Sequence, residues 1–156
     1  DMVVYPAHGV GKLECVESQT IAGQELKVLV INFEKNRMTL RLPMMKARNA
    51  GLRSLSTKND IETALLTLQK KARSTKGMIW ARRAQEYELK INSGSITSIA
   101  EVLRELYRSE NEPEQSYSER QIYKSALERL AAEIAAVESI AEDLAMAKVE
   151  ELLRVA

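Results

Sequence analysis

Apolar and polar residues alternate along the first 43 residues with the period of two that is typical of β-strands. The alternation is strictest at residues 38–42, where it places Thr39 and Arg41 on the outward face of a strand. Residues 28–31 are apolar at consecutive positions, which predicts a strand buried on both faces. The pattern predicts a small curled sheet or barrel with strands at residues 3–5, 10–16, 26–33 and 38–42.

From residue 59 onward the apolar residues recur at spacings of three and four, which predicts α-helices. The first predicted helix is capped by Asn59 or Asp60 and carries apolar residues as far as Ala72. The helix that follows contains the only tryptophan of the chain, and the one after it has the clearest apolar stripe. These three helices are expected over residues 59–72, 80–91 and 96–107.

A polar loop containing Pro113 separates these helices from the C-terminal part of the chain. Ser118 and Gln121 fit a capping box, in which each side chain bonds the backbone amide of the other. Ser139 offers a further cap, so the remaining residues form either two helices or one bent helix. The pattern as a whole predicts an α+β chain of two domains, with strands in residues 1–55 and an all-α helical bundle in residues 58–156.

The composition limits the classes of protein to which the chain can belong. It has 156 residues, one cysteine, and no apolar run as long as a membrane span. A single cysteine cannot form an intrachain disulfide, and the first residues lack the layout of a signal peptide. We therefore expect a soluble cytoplasmic protein that does not contact a membrane.

Catalytic and metal-binding chemistry has no support in the sequence. His8 and Cys15 are the only residues of their types and are too few to build a structural zinc site. Cys15 lies in a predicted apolar strand and is interpreted as a small buried hydrophobic residue. No phosphate-binding glycine loop occurs. We expect a protein that is not an enzyme and holds no cofactor or metal.

The net charge of +1 conceals an uneven distribution of charged residues. Residues 58–92 carry eight basic and four acidic residues, whereas residues 93–156 carry seven and thirteen. Contact with nucleic acid is therefore expected in the middle third of the chain, where cations are densest.

Trp80 lies within this basic stretch, with Lys76 before it and Arg82 and Arg83 after it. A large ring flanked by cations suits a surface that contacts phosphates and bases. The helical spacing of Trp80 from Tyr87 suits a core residue equally well. The residues alone leave both interpretations open.

Several short segments, in order and evenly spaced along almost the whole chain, carry one resemblance. They are VVYPAHGVG at residues 3–11, MTLRLP at 38–43, GLR at 51–53, WARR at 80–83, SG at 93–94, AEVLREL at 100–106 and SER at 118–120. All of them resemble the CarD/CdnL family of bacterial transcription regulators, whose first domain also occurs in the transcription-repair coupling factor. The segments at residues 85–88 and 113–118 look most like the alphaproteobacterial CdnL branch.

The resemblance implies a Tudor-like small β-barrel that binds the RNA polymerase β subunit, followed by a helical domain that contacts promoter DNA. Trp80 matches a tryptophan that wedges into the minor groove at the upstream edge of the melted bubble and stabilises the open complex. Arg82 and Arg83 match basic residues beside it, and Lys76 is assigned to the same DNA-binding site.

The resemblance also assigns residues to the polymerase-binding site. Arg41 matches a polymerase-contacting arginine, and Thr39 shares its outward face. Gln19 aligns with another polymerase-contacting arginine and Gln85 with a phosphate-contacting lysine, so both positions depart from the family pattern.

We therefore expect a monomeric transcription regulator that is attached at two points, to RNA polymerase and to DNA. A net charge of +4 over residues 58–92 is too small for tight DNA binding unaided. Two alternatives remain: a helical protein–protein adaptor with Trp80 as an interface anchor, and an architectural DNA-binding protein without polymerase contact.

Overall fold

The computed structural model describes all 156 residues, which form two compact units, Asp1–Leu55 and Ser56–Ala156. The first contains an antiparallel sheet and the second a helical bundle, so the predicted α+β class is confirmed. The first unit contains β1 (Met2–Tyr5), β2 (Gly9–Ile21), β3 (Gln24–Phe33), β4 (Met38–Pro43), α1 (Met44–Ala47) and β5 (Arg53–Ser54). The second contains α2 (Lys58–Gln69), α3 (Trp80–Ile91), α4 (Ile96–Leu106), α5 (Tyr117–Glu138) and α6 (Glu142–Val155).

The sheet has the strand order β4-β3-β2-β1-β5, with antiparallel pairing throughout. The middle of β3 is buried on both faces, as its sequence predicts. On the inner face Gly11 lies against Phe33, and a Cβ at this glycine would come within 2.7 Å of the Phe33 ring. The prediction for β2 was too short: the strand continues to Ile21, because its polar residues pair with β3 in a long hairpin.

A β-bulge interrupts β2 between Leu13 and Cys15. Lys12 pairs with Asn32 but Cys15 pairs with Val30, so β2 carries one extra residue at this point. Beyond the bulge each side chain of β2 lies on the opposite face from the one that an uninterrupted register would give it. Cys15 consequently faces outward and is exposed, and its interpretation as a buried residue was wrong.

Residues 44–57, for which the pattern predicts no element, contain α1 and β5. Arg53 of β5 pairs with Val4 and adds a fifth strand next to β1. A strand of two residues is too short to leave a periodic pattern in the sequence.

The five helices of the second unit enclose one apolar core. The stripe predicted for α4 is buried, with Ala100, Leu103 and Leu106 fully inaccessible to solvent. The carboxylate of Glu133 on α5 is also buried and accepts a hydrogen bond of 2.8 Å from the backbone amide of Ser56, the first residue of the unit.

The N-terminal caps of α2 and α5 differ from those predicted. Thr57 caps α2 in a capping box with Asp60, and α2 ends at Gln69, before Ala72. Ser116 caps α5 instead of Ser118: its Oγ accepts from the amide of Glu119 at 3.2 Å, and the Glu119 carboxylate accepts from the amide of Ser116 at 3.3 Å. Both predictions placed the helix start too late.

The C-terminal segment, left open between one bent helix and two helices, forms two. Ser139 has left-handed backbone, with φ of 57°, and ends α5. Ala141, not Ser139, precedes α6. None of the helices combines the length and the hydropathy that a membrane-spanning segment requires. No group of three or more His, Cys, Asp or Glu side chains is placed to hold a metal ion.

The position of the α5 cap can be tested with two serine variants. Ser116→Ala should lower the free energy of unfolding, measured in urea, by about 1 kcal/mol, because the amide of Glu119 loses its acceptor. Ser118→Ala is the matched control and should change it by less than about 0.5 kcal/mol, since Ser118 is exposed within the first turn. Equal losses from the two variants would contradict this cap.

Candidate nucleic-acid interface

The N-terminus of α3 presents an apolar tip, formed by Met78, Ile79 and Trp80. Gly77, with φ of 82°, makes the turn that leads into it. Ile79 is 70% exposed and extended, and it supplies no side-chain cap to the helix. The first amides of α3 therefore lack a capping side chain, and uncapped amides at a helix N-terminus attract anions.

The Trp80 ring is partly buried at this tip. It packs against the core of the helical unit, and its centroid lies 6.2 Å from that of the Tyr87 ring. The guanidinium carbon of Arg83 lies 5.4 Å from each of these two centroids. Trp80 was interpreted either as a surface residue that contacts DNA or as a core residue. The two interpretations are compatible, because part of the ring packs on the core while the rest stays accessible.

Arg82 and Arg83, adjacent in sequence and predicted to act alike, have different environments. Arg82 is exposed, whereas Arg83 is only 9% exposed. The Arg83 guanidinium donates to the hydroxyl of Tyr87 through Nη2 at 2.8 Å and Nε at 3.2 Å. Arg83 therefore contributes to the base of the tip, and a DNA contact by this residue stays a prediction.

Glu105 of α4 connects this arginine to the loop before α3. Its Oε1 accepts from the Tyr87 hydroxyl at 3.1 Å and from Nε of Arg73 at 3.0 Å. Burial raises the pKa of Tyr87, which keeps the hydroxyl protonated and able to donate. The result is a continuous hydrogen-bonded chain of four side chains: Arg83, Tyr87, Glu105 and Arg73.

Arg73 belongs to the basic stretch but is held by two carboxylates. Besides Glu105 it bonds Glu86 of α3, with Nη2 2.6 Å from Oε2. This hydrogen bond lowers the pKa of Glu86 and raises that of Arg73. Lys90 lies 3.8 Å from Glu86 and 3.5 Å from Glu101, so it too is paired. These charges stabilise the loop and the helices.

The other predicted DNA-binding residues lie at the surface. Arg82 and Gln85 are exposed and, three residues apart on α3, share one face of the helix. Lys76 is exposed in the loop before the tip. Lys70 and Lys71 in the same loop belong to the basic stretch of residues 58–92 and are also exposed.

The three residues assigned to polymerase lie on one face of the sheet. Thr39 and Arg41 of β4 pair with Asn32 and Val30 of β3, and Gln19 of β2 pairs with Leu26. These β3 positions are separated by even numbers of residues, so all three side chains share a face. Without the bulge at Leu13–Cys15, Gln19 would lie on the other face.

Arg41 also forms an ion pair that the sequence did not predict. Its Nε lies 3.6 Å from Oε2 of Glu17 on β2. The two residues lie on either side of β3, so the pair crosses the central strand. Both side chains remain substantially exposed, at 55% and 40%, which leaves Arg41 accessible to a partner.

Sequence reasoning missed the roles of Tyr87, Glu105 and Arg73 in the site. The periodicity gave no signal for Glu105, because the helical spacing places it on the opposite side of α4 from the apolar stripe; the structure nevertheless buries it, and a buried charge requires a partner. The identity of that partner depends on how α3 packs on α4, which the periodicity does not reveal.

Two family models match the two units of the chain in turn. The CarD-like/TRCF RID domain model matches residues 1–56, and the model of the CarD C-terminal domain matches residues 63–150. A protein of Bacillus subtilis (strain 168) named "Putative transcription factor YdeB" is 28% identical to the chain over 142 residues, which are 91% of this chain and 92% of that relative.

The Arg73–Glu86 pair predicts a dependence of stability on pH. Because the folded-state pKa of Glu86 is lowered, its contribution is present above the ordinary value of 4.5 and is lost as the pH falls through the folded pKa. Glu86→Gln should cost at most about 1 kcal/mol of unfolding free energy at neutral pH, since the pair is partly exposed. The difference from wild type should shrink in acid.

Glu88→Gln on the same helix is the control for this measurement, because Glu88 is exposed. It should leave stability nearly unchanged at both pH values. A Glu86→Gln deficit that persisted unchanged below the folded pKa would contradict the ion pair.

Proposed function

The chain belongs to the CarD family of transcription regulators, and on that premise we propose that it binds RNA polymerase with its β-sheet unit and promoter DNA with the apolar tip of α3. In this proposal Trp80 enters the minor groove at the upstream edge of the melted bubble and stabilises the open complex. The observation that carries it is the accessible part of the Trp80 ring, held on a packed base at an exposed helix terminus.

The DNA contact combines an apolar wedge with weak phosphate contacts. Apolar side chains inserted from the minor groove unstack base steps, and a melted edge offers an already unstacked step. Arg82 and Lys76 are exposed cations on either side of the tip, and the first amides of α3 add donors for a phosphate. Gln85 offers a neutral amide where the resemblance implies a lysine, so we propose a weaker, uncharged contact there.

The polymerase contact uses the outward face around Arg41. We propose the β subunit as the partner, with Arg41 as the charged contact and Thr39 and Gln19 beside it. β4 lies at the end of the strand order, and an edge strand can pair with a strand of a partner while its side chains give specificity. Gln19 retains donors and acceptors but lacks the charge that an arginine would bring.

Attachment at two points explains why a modest charge suffices. Residues 58–92 carry a net +4 and residues 93–156 a net −6, so electrostatics alone give little affinity for DNA. Once the β-sheet unit holds polymerase, the helical unit meets the promoter at a high effective concentration. Each unit supplies one contact, so we propose a monomer that acts with polymerase in the cytoplasm, by binding alone, without catalysis or a cofactor.

The first test removes the wedge. Trp80→Ala should shorten the lifetime of the open complex several-fold while binding to core polymerase is retained, because the ring no longer opposes closure of the bubble. Lifetime is measured as the decay of heparin-resistant complexes on a promoter. Tyr117→Ala is the control, since Tyr117 is a 70% exposed aromatic residue elsewhere in the helical unit.

An unchanged lifetime would contradict the wedge. Loss of polymerase binding together with lifetime would indicate that Trp80 acts mainly in the core of the protein. Retained polymerase binding without any footprint at the bubble edge would favour the adaptor alternative.

The second test reverses the charge of the outward face. Arg41→Glu should weaken binding to core polymerase by about tenfold or more, because a charged contact becomes repulsive. Affinity is measured by fluorescence titration of labelled protein. Lys27→Glu carries the same change in charge at an exposed position on the opposite face of the sheet, where Lys27 pairs with Ser18. Equal effects of the two variants would remove Arg41 from the interface.

A further inference from the structure

Arg83 is buried, but its hydrogen-bond partner is not a carboxylate. The hydroxyl of Tyr87 is the hydrogen-bond partner of its guanidinium, at 2.8 Å and 3.2 Å, and a neutral hydroxyl compensates little of the cost of burying a charge. The nearest negative charge in the network is Glu105, which Arg83 reaches through that hydroxyl. An apolar residue of similar length would fill this place at lower cost.

The position of the guanidinium shows what the charge achieves. It lies 5.4 Å from the ring centroids of both Trp80 and Tyr87, within the distance of a cation–π interaction with each. A planar guanidinium stacks on aromatic faces, which an ammonium group cannot do. Arg83 therefore links a ring that is partly exposed, Trp80, to one that is fully buried, Tyr87.

The far end of the network is anchored on two other elements. Glu105 lies on α4 with its side chain 6% exposed, and it accepts from both Tyr87 and Arg73. Arg73 lies in the loop that leads to the apolar tip. The network therefore fixes the tip from both directions along the chain, through the loop before it and through the helix after it.

We propose that Arg83 is a positioning residue, which Tyr87 and Glu105 hold against Trp80 so that the ring is ordered before it meets DNA. The inference rests on the proposed function and deepens it. An ordered ring enters the groove without losing side-chain freedom at that moment, and this preorganisation lengthens the life of the complex. Arg83 acts through Trp80 and not through a phosphate.

Two pairs of matched variants test this role in the full-length protein. Tyr87→Phe removes one hydroxyl from the network, and Tyr123→Phe removes a buried hydroxyl that has no hydrogen-bond partner. Arg83→Lys keeps the charge but loses the stacking plane, and Arg120→Lys makes the same change at an exposed position of α5. Circular dichroism and thermal unfolding establish that each variant is folded.

Trp80 is the sole tryptophan, so intrinsic fluorescence reports directly on the ring. Acrylamide quenching and the anisotropy decay of the free protein measure its exposure and mobility. Tyr87→Phe and Arg83→Lys should both increase quenching and mobility, and should shorten the open-complex lifetime by about two- to tenfold, the range expected from ordering one side chain on binding. The two controls should match wild type in both measurements.

The outcomes separate the positioning role from the proposed function. Unchanged fluorescence in folded Tyr87→Phe or Arg83→Lys would overturn the positioning role, whatever Trp80 does at a promoter. A mobile ring with an unchanged lifetime, while Trp80→Ala shortens it, would also overturn it and leave the wedge intact. A wild-type lifetime of the open complex in Arg83→Lys, with the ring still ordered, would also overturn the positioning role. It would show that only the positive charge of Arg83 is needed, as in a phosphate contact. An unchanged lifetime in Trp80→Ala would instead refute the proposed function.

Discussion

The carboxylate of Glu105 is the constraint on which the apolar tip of the helical unit depends. It lies on α4 between Leu103 and Leu106, both of them fully buried, where a charge is stable only if it is paired. Its partners are Arg73, from the loop before α3, and Tyr87, from α3 itself. The apolar tip lies between these two partners in the chain, so pairing one buried charge fixes the segment proposed to meet DNA.

The elements of the fold could be read from the sequence because burial imposes a period. Strict alternation located β4, and the stripe of α4 located a buried helix, since each pattern extends over several residues that must share one environment. Helix starts were less predictable. Both Ser116 and Ser118 are followed three residues later by a side chain that can complete a capping box, Glu119 and Gln121, and only the real start of the helix distinguishes them.

The composition of the candidate site was predictable, but its internal arrangement was not. The resemblance singled out Trp80 and its neighbours and did not distinguish Arg82 from Arg83. The spacing of Arg83 from Trp80 and Tyr87 places it on their face of α3, but its burial and its connection to Glu105 depend on how the helices pack. In the sheet, the bulge at Leu13–Cys15 decides that Gln19 shares a face with Arg41. A single inserted residue changes the face of every later side chain, and nothing in the local sequence marks where it occurs.

These arrangements explain how a protein with little net charge could act on DNA. If attachment to polymerase supplies the affinity, the helical unit needs a defined shape more than it needs additional cations. An ordered ring satisfies that need because it gives up little freedom on insertion. A neutral Gln85 can then replace a phosphate-contacting lysine at small cost. Under this proposal the buried residues Tyr87 and Glu105, which never meet DNA, set the lifetime of the complex more strongly than the exposed cations around them.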